Sequence, residues 1–296
     1  MNKHAANAGD VIKHLLLAEL IHIEQRHIRT YIDTHAGRPW NNLTHPDYLF
    51  GSRNDEDPAW AARFMKEATD GTLGQIIQGA EYTKLLQIDG GHGRFWNGSR
   101  LSSPPVYPGS VAVAHMLLSS HGNNIQWFCG EKDMADQAAL ASLLPGSVVE
   151  SSLFPGSDPS LDDRLRRSLG PDALVFVDPF SLAARKGTKG DDPWRARAFA
   201  VHAARQGALV VAWYSLRKPT TPTVIERELW SPLNNPPLQP RTLARLEIRW
   251  SQDTMKLPSQ PPTGAGMIMA NLRTHTVDTL IGLSQALSKG FDWSLS

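Results

Sequence analysis

Residues 173–177 constrain the fold more than any other stretch, because all five are apolar and form the run Ala-Leu-Val-Phe-Val. A strand of this kind is typical of a parallel sheet that helices cover on both faces. The run ends at Asp178, so the sequence turns from apolar to acidic where the predicted strand stops. Open α/β sheets bind ligands at the carboxyl ends of their strands, which makes Asp178 a candidate site residue. The alternative is that Asp178 only starts the turn after the strand.

A second predicted strand end has the same character. Residues 31–37 read Tyr-Ile-Asp-Thr-His-Ala-Gly, so an apolar pair leads into an acid, a histidine and a glycine. Gly37 allows the backbone to approach a bound molecule closely, because it has no Cβ. We interpret Asp33, His35 and Gly37 as candidates for a ligand site. An ordinary strand and turn would give the same short pattern, and that alternative stays open.

Strand-like and helix-like patterns alternate along most of the chain. Strands are predicted near residue 31 and at residues 124–131, 147–153, 173–177, 208–214, 243–250 and 266–272. Helices are predicted at residues 10–26, 111–118, 134–144, 161–169, 193–206, 223–229 and 276–287. This alternation predicts an α/β fold with a doubly wound, mostly parallel sheet of seven strands. The last two strands are joined without a clear helix, so we expect one of them to be antiparallel.

The segment from residue 43 to residue 107 differs from its surroundings. It is rich in proline, glycine and asparagine, and its helical patterns at residues 58–68 and 74–86 are short. We predict a small helical subdomain inserted into a Rossmann-like domain that comprises residues 1–42 and 108–296. The alternative is one long irregular connection, which is unusual in a compact domain.

Composition excludes several classes of protein. The formal net charge is +1, so no overall basic field attracts nucleic acid, although a local basic patch is compatible with that charge. Cys129 is the single cysteine, which rules out an intramolecular disulfide and a cysteine zinc cluster. The histidines lack the spacing of a metal site, so we expect no metal. No apolar run reaches the length of a membrane span and the first residues lack a signal-peptide pattern, so we expect a soluble, cytoplasmic protein.

The first predicted helix carries polar residues in its first turns. Asp10 is a candidate N-cap. Lys13 and His14 follow near the positive end of the helix, where an anionic ligand binds favourably. On this pattern alone we prefer the alternative, in which Lys13 and His14 are two solvated surface residues.

Two more polar residues lie where predicted elements meet. Ser110 precedes an apolar helical pattern and is predicted to cap that helix. Glu131 ends the second predicted strand, where an acid in a dinucleotide-binding fold accepts hydrogen bonds from ribose hydroxyls. A surface acid is the alternative for Glu131. The sequence contains no Gly-x-Ser-x-Gly nucleophile motif and no Walker-type phosphate loop.

Taken together, these segments resemble one family, the bacterial 23S ribosomal RNA adenine-N6 methyltransferases of the RlmJ type. The matching segments are residues 7–14, 31–37, 107–110, 130–131, 175–179, 213–214 and 264–268. They occur in the family's order over nearly the whole chain. The Asp-Thr-His-Ala-Gly string and the early Lys-His pair are the more specific of these motifs. The family also has a helical insertion after its first strand, which would match residues 43–107.

The resemblance implies S-adenosylmethionine as the cofactor and protein-free 23S ribosomal RNA as the substrate. The predicted cofactor site consists of Lys13, His14, Asp33, His35, Gly37, Ser110 and Glu131. Asp178 resembles the catalytic acid, and with the carbonyl of Pro179 it would orient the exocyclic amine of adenine. Such an enzyme is expected to act as a monomer and not to associate with a membrane.

The chain departs from the family where the family has the tetrad Asp-Pro-Pro-Tyr. Here the tetrad is Asp178-Pro179-Phe180-Ser181, so the aromatic residue comes one place early. Phe180 is the candidate for stacking on the base, and Arg185, Lys186 and Lys189 are candidates for phosphate contacts. A solvated turn is the alternative for this basic loop.

Three functions therefore stay open at the level of the sequence. The first is the adenine-N6 methyltransferase. The second is a methyltransferase of the same fold that acts on another nucleobase or on a small molecule. The third is a relative that binds RNA or the cofactor without turnover.

Overall fold

The computed structural model describes residues 6–44, 60–120, 124–154, 159–179, 182, 193–216, 224–235, 242–249, 264–291 and 294–295. The helices are α1 (Ala8–Glu24), α2 (Trp60–Thr69), α3 (Gly74–Gly79), α4 (Glu81–Leu85), α5 (Ser110–Ser119), α6 (Met134–Leu143), α7 (Pro159–Ser168), α8 (Pro193–Arg205), a π-helix (Glu226–Trp230), α9 (Ser231–Asn234) and α10 (Thr274–Gly290). The strands are β1 (Thr30–Asp33), β2 (Trp40–Asn42), β3 (Trp96–Asn97), β4 (Arg100–Leu101), β5 (Val106–Pro108), β6 (Gln126–Gly130), β7 (Val148–Glu150), β8 (Ala173–Val177), β9 (Leu209–Leu216), β10 (Leu243–Arg249), β11 (Gly264–Ala270) and β12 (Ser294–Leu295).

The main sheet has the strand order β12-β10-β11-β9-β8-β1-β6-β7. Its five strands from β9 to β7 in this order are parallel. Strand β11 is antiparallel to both of its neighbours, β9 and β10. The predicted doubly wound, mostly parallel sheet is confirmed, and so is the antiparallel strand near its end. The two-residue β12 adds an eighth strand at the edge, beyond the seven that were predicted.

Strand β8 is buried on both faces, because its side chains alternate between two hydrophobic clusters. Leu174 and Phe176 join the cluster that contains residues of α1, α5 and α10. Ala173, Val175 and Val177 join the cluster that contains residues of α7 and α8. A polar side chain on either face would be removed from water without a partner, which explains the purely apolar sequence.

The described part of the predicted insertion contains α2, α3, α4 and the hairpin β3–β4. Its apolar side chains, among them Phe64 and Tyr82, belong to the same cluster as those of α1. The segment therefore shares a core with the helices on one face of the sheet. One helix was predicted at residues 74–86, but the chain forms two, because Ala80 is extended, with φ −62° and ψ 142°. The division into two domains stays a prediction.

Helix α1 begins two residues before the predicted start. Its N-cap is Asn7, whose side chain accepts a hydrogen bond from the backbone N–H of Asp10 at 3.0 Å. The prediction of Asp10 as the cap is therefore wrong. Because Asp10 is not the cap, its carboxylate is available to Lys13 one turn later, with Nζ 3.0 Å from Oδ1.

Candidate active site

Strand β1 marks the point where the order of the sheet reverses. It pairs with β6 on one side and with β8 on the other, in parallel. A doubly wound sheet opens a crevice at this switch point, outside the carboxyl ends of the strands. Asp33 is the last residue of β1, and Asp178 directly follows β8. The two predicted acids therefore lie on adjacent strands at the crevice.

Asp33 is fully buried and organises the turn that follows β1. Its Oδ1 accepts a hydrogen bond from the backbone N–H of His35 at 3.1 Å. Its Oδ2 accepts one from the Ser110 hydroxyl at 2.6 Å and a longer one from the Tyr31 hydroxyl at 3.4 Å. Burial raises the pKa of Asp33 to about 6, although the hydrogen bonds from Ser110 and His35 oppose this rise.

Ser110 is the first residue of α5, and it does not cap that helix as the sequence suggested. The N-cap is Gly109, which makes no side-chain cap hydrogen bond. The Ser110 hydroxyl instead fastens the start of α5 to Asp33. A Cβ at Gly109 would lie 2.6 Å from the carbonyl oxygen of Arg38, so the backbone after β1 and the start of α5 approach closely.

Removing the Ser110 hydroxyl tests its link to Asp33. In Ser110→Ala we expect the pKa of Asp33 to rise above about 6, because a donor to the carboxylate is lost. We also expect the free energy of unfolding to fall by about 1–3 kcal/mol. Carbon-13 NMR titration and urea unfolding measure the two effects. Ser119→Ala, which changes an exposed serine of the same helix, serves as control. An unchanged Asp33 titration would contradict the assigned link.

Lys13 is buried and pairs with two carboxylates. Its Nζ lies 2.5 Å from Oδ2 of Asp178 and 3.0 Å from Oδ1 of Asp10. The Asp178 side chain is only 16% exposed. Our sequence-based preference for a solvated Lys13 and His14 is therefore wrong, because both side chains lie in the interior.

Burial and charge set the protonation of this group in opposite directions. Burial raises the pKa of Asp178 to about 7, and the charges of Asp10 and Asp33 add to the rise, while Lys13 opposes it. Burial alone would lower the pKa of Lys13, but Asp178 and Asp10 raise it above its usual value. Lys13 is thus a permanent cation among three carboxylates. When Asp10, Asp33 and Asp178 are ionised, the crevice carries a net negative charge.

His14 is buried beside Lys13 and contacts Tyr107, with Nδ1 3.1 Å from the tyrosine hydroxyl oxygen. Burial, and to a smaller extent the charge of Lys13, lower the pKa of His14 well below its usual value. The imidazole is therefore neutral at physiological pH. Tyr107 comes from β5, in the same short segment as Ser110, so this contact joins two of the predicted motifs.

The turn after β1 brings backbone and small residues to the crevice. Gly37 has φ 62°, in the left-handed region that glycine adopts most easily. The ring of His35 lies 5.7 Å from that of Phe154, and its Nδ1 is 2.8 Å from the Thr34 hydroxyl. A Cβ at Gly130 would lie 2.5 Å from the Thr34 carbonyl oxygen, so β6 approaches this turn closely.

Glu131 follows β6 directly rather than ending it. Its backbone N–H donates to the carbonyl of Glu150 at 2.8 Å, and its Oε1 accepts from the backbone N–H of Asp133 at 2.7 Å. Its other carboxylate oxygen, Oε2, makes no hydrogen bond within the part of the chain that the structure describes. Glu131 therefore has a fixed side chain with one oxygen available to a ligand.

The structure brings most of the predicted residues together at one edge of the sheet. Lys13, Asp33 and Asp178 are linked by contact or by charge. Pro179 is buried directly after Asp178. The remaining predicted residues, Phe180, Arg185, Lys186 and Lys189, lie outside the described residues. Sequence reasoning missed Tyr107 as the partner of His14 and Asp10 as the second partner of Lys13.

The described ranges contain neither a helix that could span a membrane nor a cluster of metal ligands. None of the helices there has both the length and the apolar character needed to cross a membrane. Nor do three or more His, Cys, Asp or Glu side chains come together there in a way that could hold a metal ion.

A comparison with solved structures finds a similar fold. One match is the crystal structure of a protein from Legionella pneumophila str. Philadelphia 1, described by the family model DUF519, with a TM-score of 0.66 and 18% sequence identity. The alignment covers 99% of this chain and 98% of that one. No family model matches the sequence, and no curated protein matches it significantly. The comparisons therefore show the α/β fold over the full length of the chain and name no activity.

Proposed function

We propose that the chain is an S-adenosylmethionine-dependent methyltransferase that modifies the exocyclic N6 of an adenine in 23S ribosomal RNA. The observation that carries the proposal is the largely buried Asp178 carboxylate at the switch point, next to Asp33 and paired with Lys13. Such an enzyme meets its substrate in the cytoplasm as a monomer.

The sheet order supports the reaction class. Numbered along the chain, the strands of the main sheet other than β12 stand in the order 3-2-1-4-5-7-6, with the seventh antiparallel. Class I methyltransferases, the group that the sequence resembles, have a sheet of this kind. Because one fold hosts many activities, the residues at the crevice carry the argument for the function.

The residues at the crevice fit the proposed cofactor. S-adenosylmethionine supplies an electrophilic methyl group on a positively charged sulfur. The three carboxylates around Lys13 give the crevice a complementary negative charge. Oε2 of Glu131 is available to ribose hydroxyls, and Gly37 allows a close approach of the backbone. His14, His35 and Ser110 complete the proposed cofactor site.

Asp178 can activate an exocyclic amine by position and charge. The amine of adenine is a poor nucleophile, because its lone pair is delocalised into the ring. An ionised Asp178 and the carbonyl of Pro179 would each accept one N–H and favour a pyramidal nitrogen with a directed lone pair. The target base must leave its stack to reach a buried acid of this kind.

Lys13 favours the ionised form of Asp178 and fixes its orientation. Its ammonium opposes the rise in the pKa of Asp178 and holds one carboxylate oxygen in place. The second oxygen of Asp178 is then the one that would receive the amine. Asp10, in turn, fixes Lys13 from the other side.

We expect kcat/KM for methyl transfer to increase with pH and to level off above about 7, because only the ionised Asp178 accepts an N–H. Below that midpoint the value should fall about tenfold per pH unit, as a single protonation requires. In Lys13→Met the midpoint should move to higher pH, since the cation that stabilises the carboxylate is gone. A profile that stays flat on both sides of a pH of about 7 would rule out this role for Asp178.

The proposal is tested by transfer of a labelled methyl group from S-adenosylmethionine to protein-free ribosomal RNA that lacks the modification. Digested nucleosides are identified by mass spectrometry, and N6-methyladenosine is the expected product. Binding of the cofactor without an RNA product would favour another nucleobase or a small molecule as acceptor. Absence of both binding and product would remove the support for a methyltransferase.

A further inference from the structure

Two buried tyrosine hydroxyls and His14 form a chain of hydrogen bonds behind the crevice. The Tyr82 oxygen lies 2.6 Å from the Tyr107 oxygen, which lies 3.1 Å from Nδ1 of His14. Tyr82 and Tyr107 are at most 1% exposed, and His14 is 4% exposed. This series of hydrogen bonds ends at Tyr82, whose ring packs against Phe64, with ring centroids 6.0 Å apart.

The number of hydroxyl hydrogens determines which residue donates and which accepts in each of these hydrogen bonds. A tyrosine hydroxyl has one hydrogen to donate. Within the described residues, the Tyr82 hydroxyl has no hydrogen-bond partner except Tyr107. If Tyr107 donated to Tyr82, the buried hydrogen of Tyr82 would have no acceptor, at a cost comparable to a lost hydrogen bond. Tyr82 therefore donates to Tyr107.

The same argument then applies to His14. Because Tyr107 accepts from Tyr82, its own hydrogen points to the remaining neighbour, Nδ1 of His14. A ring nitrogen that accepts a hydrogen bond is unprotonated, so the proton of the neutral imidazole is on the other nitrogen, Nε2. A hydroxyl that accepts one hydrogen bond also becomes a stronger donor in the next, which reinforces this direction.

We propose that Tyr107 is a positioning residue that holds His14 as the Nε2–H tautomer, so that His14 offers an N–H donor to an oxygen atom of a bound ligand. The chemical class of acceptor is a carboxylate or carbonyl oxygen. Nε2 has no hydrogen-bond partner among the described residues, which leaves it to such a ligand. Low basicity of His14 agrees with this role, since burial keeps the ring neutral.

The contacts among Tyr82, Tyr107 and His14 link the inserted segment to the crevice. Tyr82 belongs to α4 and Tyr107 to β5, and both lie in the stretch between the first strand of the sheet and α5. The tautomer of His14 does not depend on the proposed function. Its consequence for cofactor binding does rest on that function.

Nitrogen-15 NMR of the full-length protein with labelled histidine tests the tautomer directly. The His14 signals are assigned from a His14→Gln variant. In the wild type, Nδ1 should give the shift of an unprotonated ring nitrogen and Nε2 that of a protonated one. In Tyr107→Phe, Nδ1 loses its donor, so the two tautomers should become mixed. Tyr82→Phe is the matched control, because it also removes one buried hydroxyl but leaves Tyr107 able to donate.

Two results would overturn the inference. One is a wild-type His14 with its proton on Nδ1, which needs no variant to observe. The other is a Tyr107→Phe protein that folds and retains a single Nε2–H tautomer. Calorimetry with S-adenosylmethionine adds the functional readout, with an expected loss of affinity of about tenfold in Tyr107→Phe. If the wild type shows the expected tautomer but binds no cofactor, the proposed function fails while the assignment of the tautomer stands.

Discussion

We expect the replacement of Asp178 with asparagine to lower the proposed methyl transfer by about 10³-fold, while S-adenosylmethionine should still bind. The amide has nearly the size of the carboxylate, so packing around the side chain is preserved. It lacks the negative charge that pairs with Lys13 at 2.5 Å, and one of its two polar atoms is a donor where the amine needs an acceptor. Asp178→Ala removes both acceptors and should be at least as inactive. Transfer of labelled methyl groups to RNA measures the rates.

The matched control for this variant is Asp163→Asn. Asp163 lies on α7 with a side chain that is 67% exposed, and its ion pair with Arg166 spans 3.8 Å. Exposed pairs of this kind contribute little to stability, so the control should retain wild-type turnover. Turnover within a few-fold of wild type in Asp178→Asn would show that the carboxylate is not catalytic. Calorimetry on both variants separates a loss of chemistry from a loss of cofactor binding.

Gly130→Ala should have the largest effect on the structure of the crevice. The added Cβ would lie 2.5 Å from the carbonyl oxygen of Thr34 and 3.3 Å from the Leu153 side chain. The first contact is with backbone, so no change of rotamer relieves it. We expect a loss of about 1–3 kcal/mol in the free energy of unfolding. The carbonyl of Gly130 also accepts from the N–H of Ala36 at 2.8 Å, so the turn that carries His35 should shift and cofactor affinity should fall.

Gly282→Ala provides the comparison for this variant. Gly282 lies inside α10, and an added Cβ there would meet no atom within 4 Å. Alanine favours the helix over glycine by about 0.5–1 kcal/mol, so this substitution should stabilise the protein slightly. Urea unfolding and calorimetry with S-adenosylmethionine are measured for both variants. A Gly130→Ala protein as stable as the wild type would mean that β6 and the turn after β1 are farther apart than described.

The position of Asp178 could be predicted from the sequence for a physical reason. A strand buried on both faces tolerates no polar residue, so the first acid after it marks the edge of the sheet. The position of Asp33 at the end of β1 could be predicted in the same way, because Tyr31 and Ile32 before it are apolar. What the sequence did not reveal is that Asp33 is fully buried and that its partner is Ser110, far along the chain.

The burial of Lys13 and His14 was missed because two polar residues in the first turns of a helix were interpreted as solvated surface residues. In the structure α1 is surrounded, since α5 and α10 pack against it together with the inserted α2 and α4. A signal was present in the run Leu15-Leu16-Leu17-Ala18, which places apolar residues on every side of the helix. The partners of the two residues, by contrast, depend on tertiary contacts that no local pattern encodes.

The pairing of β1 has a consequence for how the chain folds during synthesis. Both neighbours of β1 in the sheet, β6 and β8, are encoded far downstream, after the whole inserted segment. Strand β1 must therefore leave the ribosome long before either pairing partner exists. Sheets built from such distant contacts fold slowly, and their unpaired apolar strands are prone to aggregate. We expect nascent chains that stop before β8 to depend on chaperones, and the crevice to form only once Asp178 has been added.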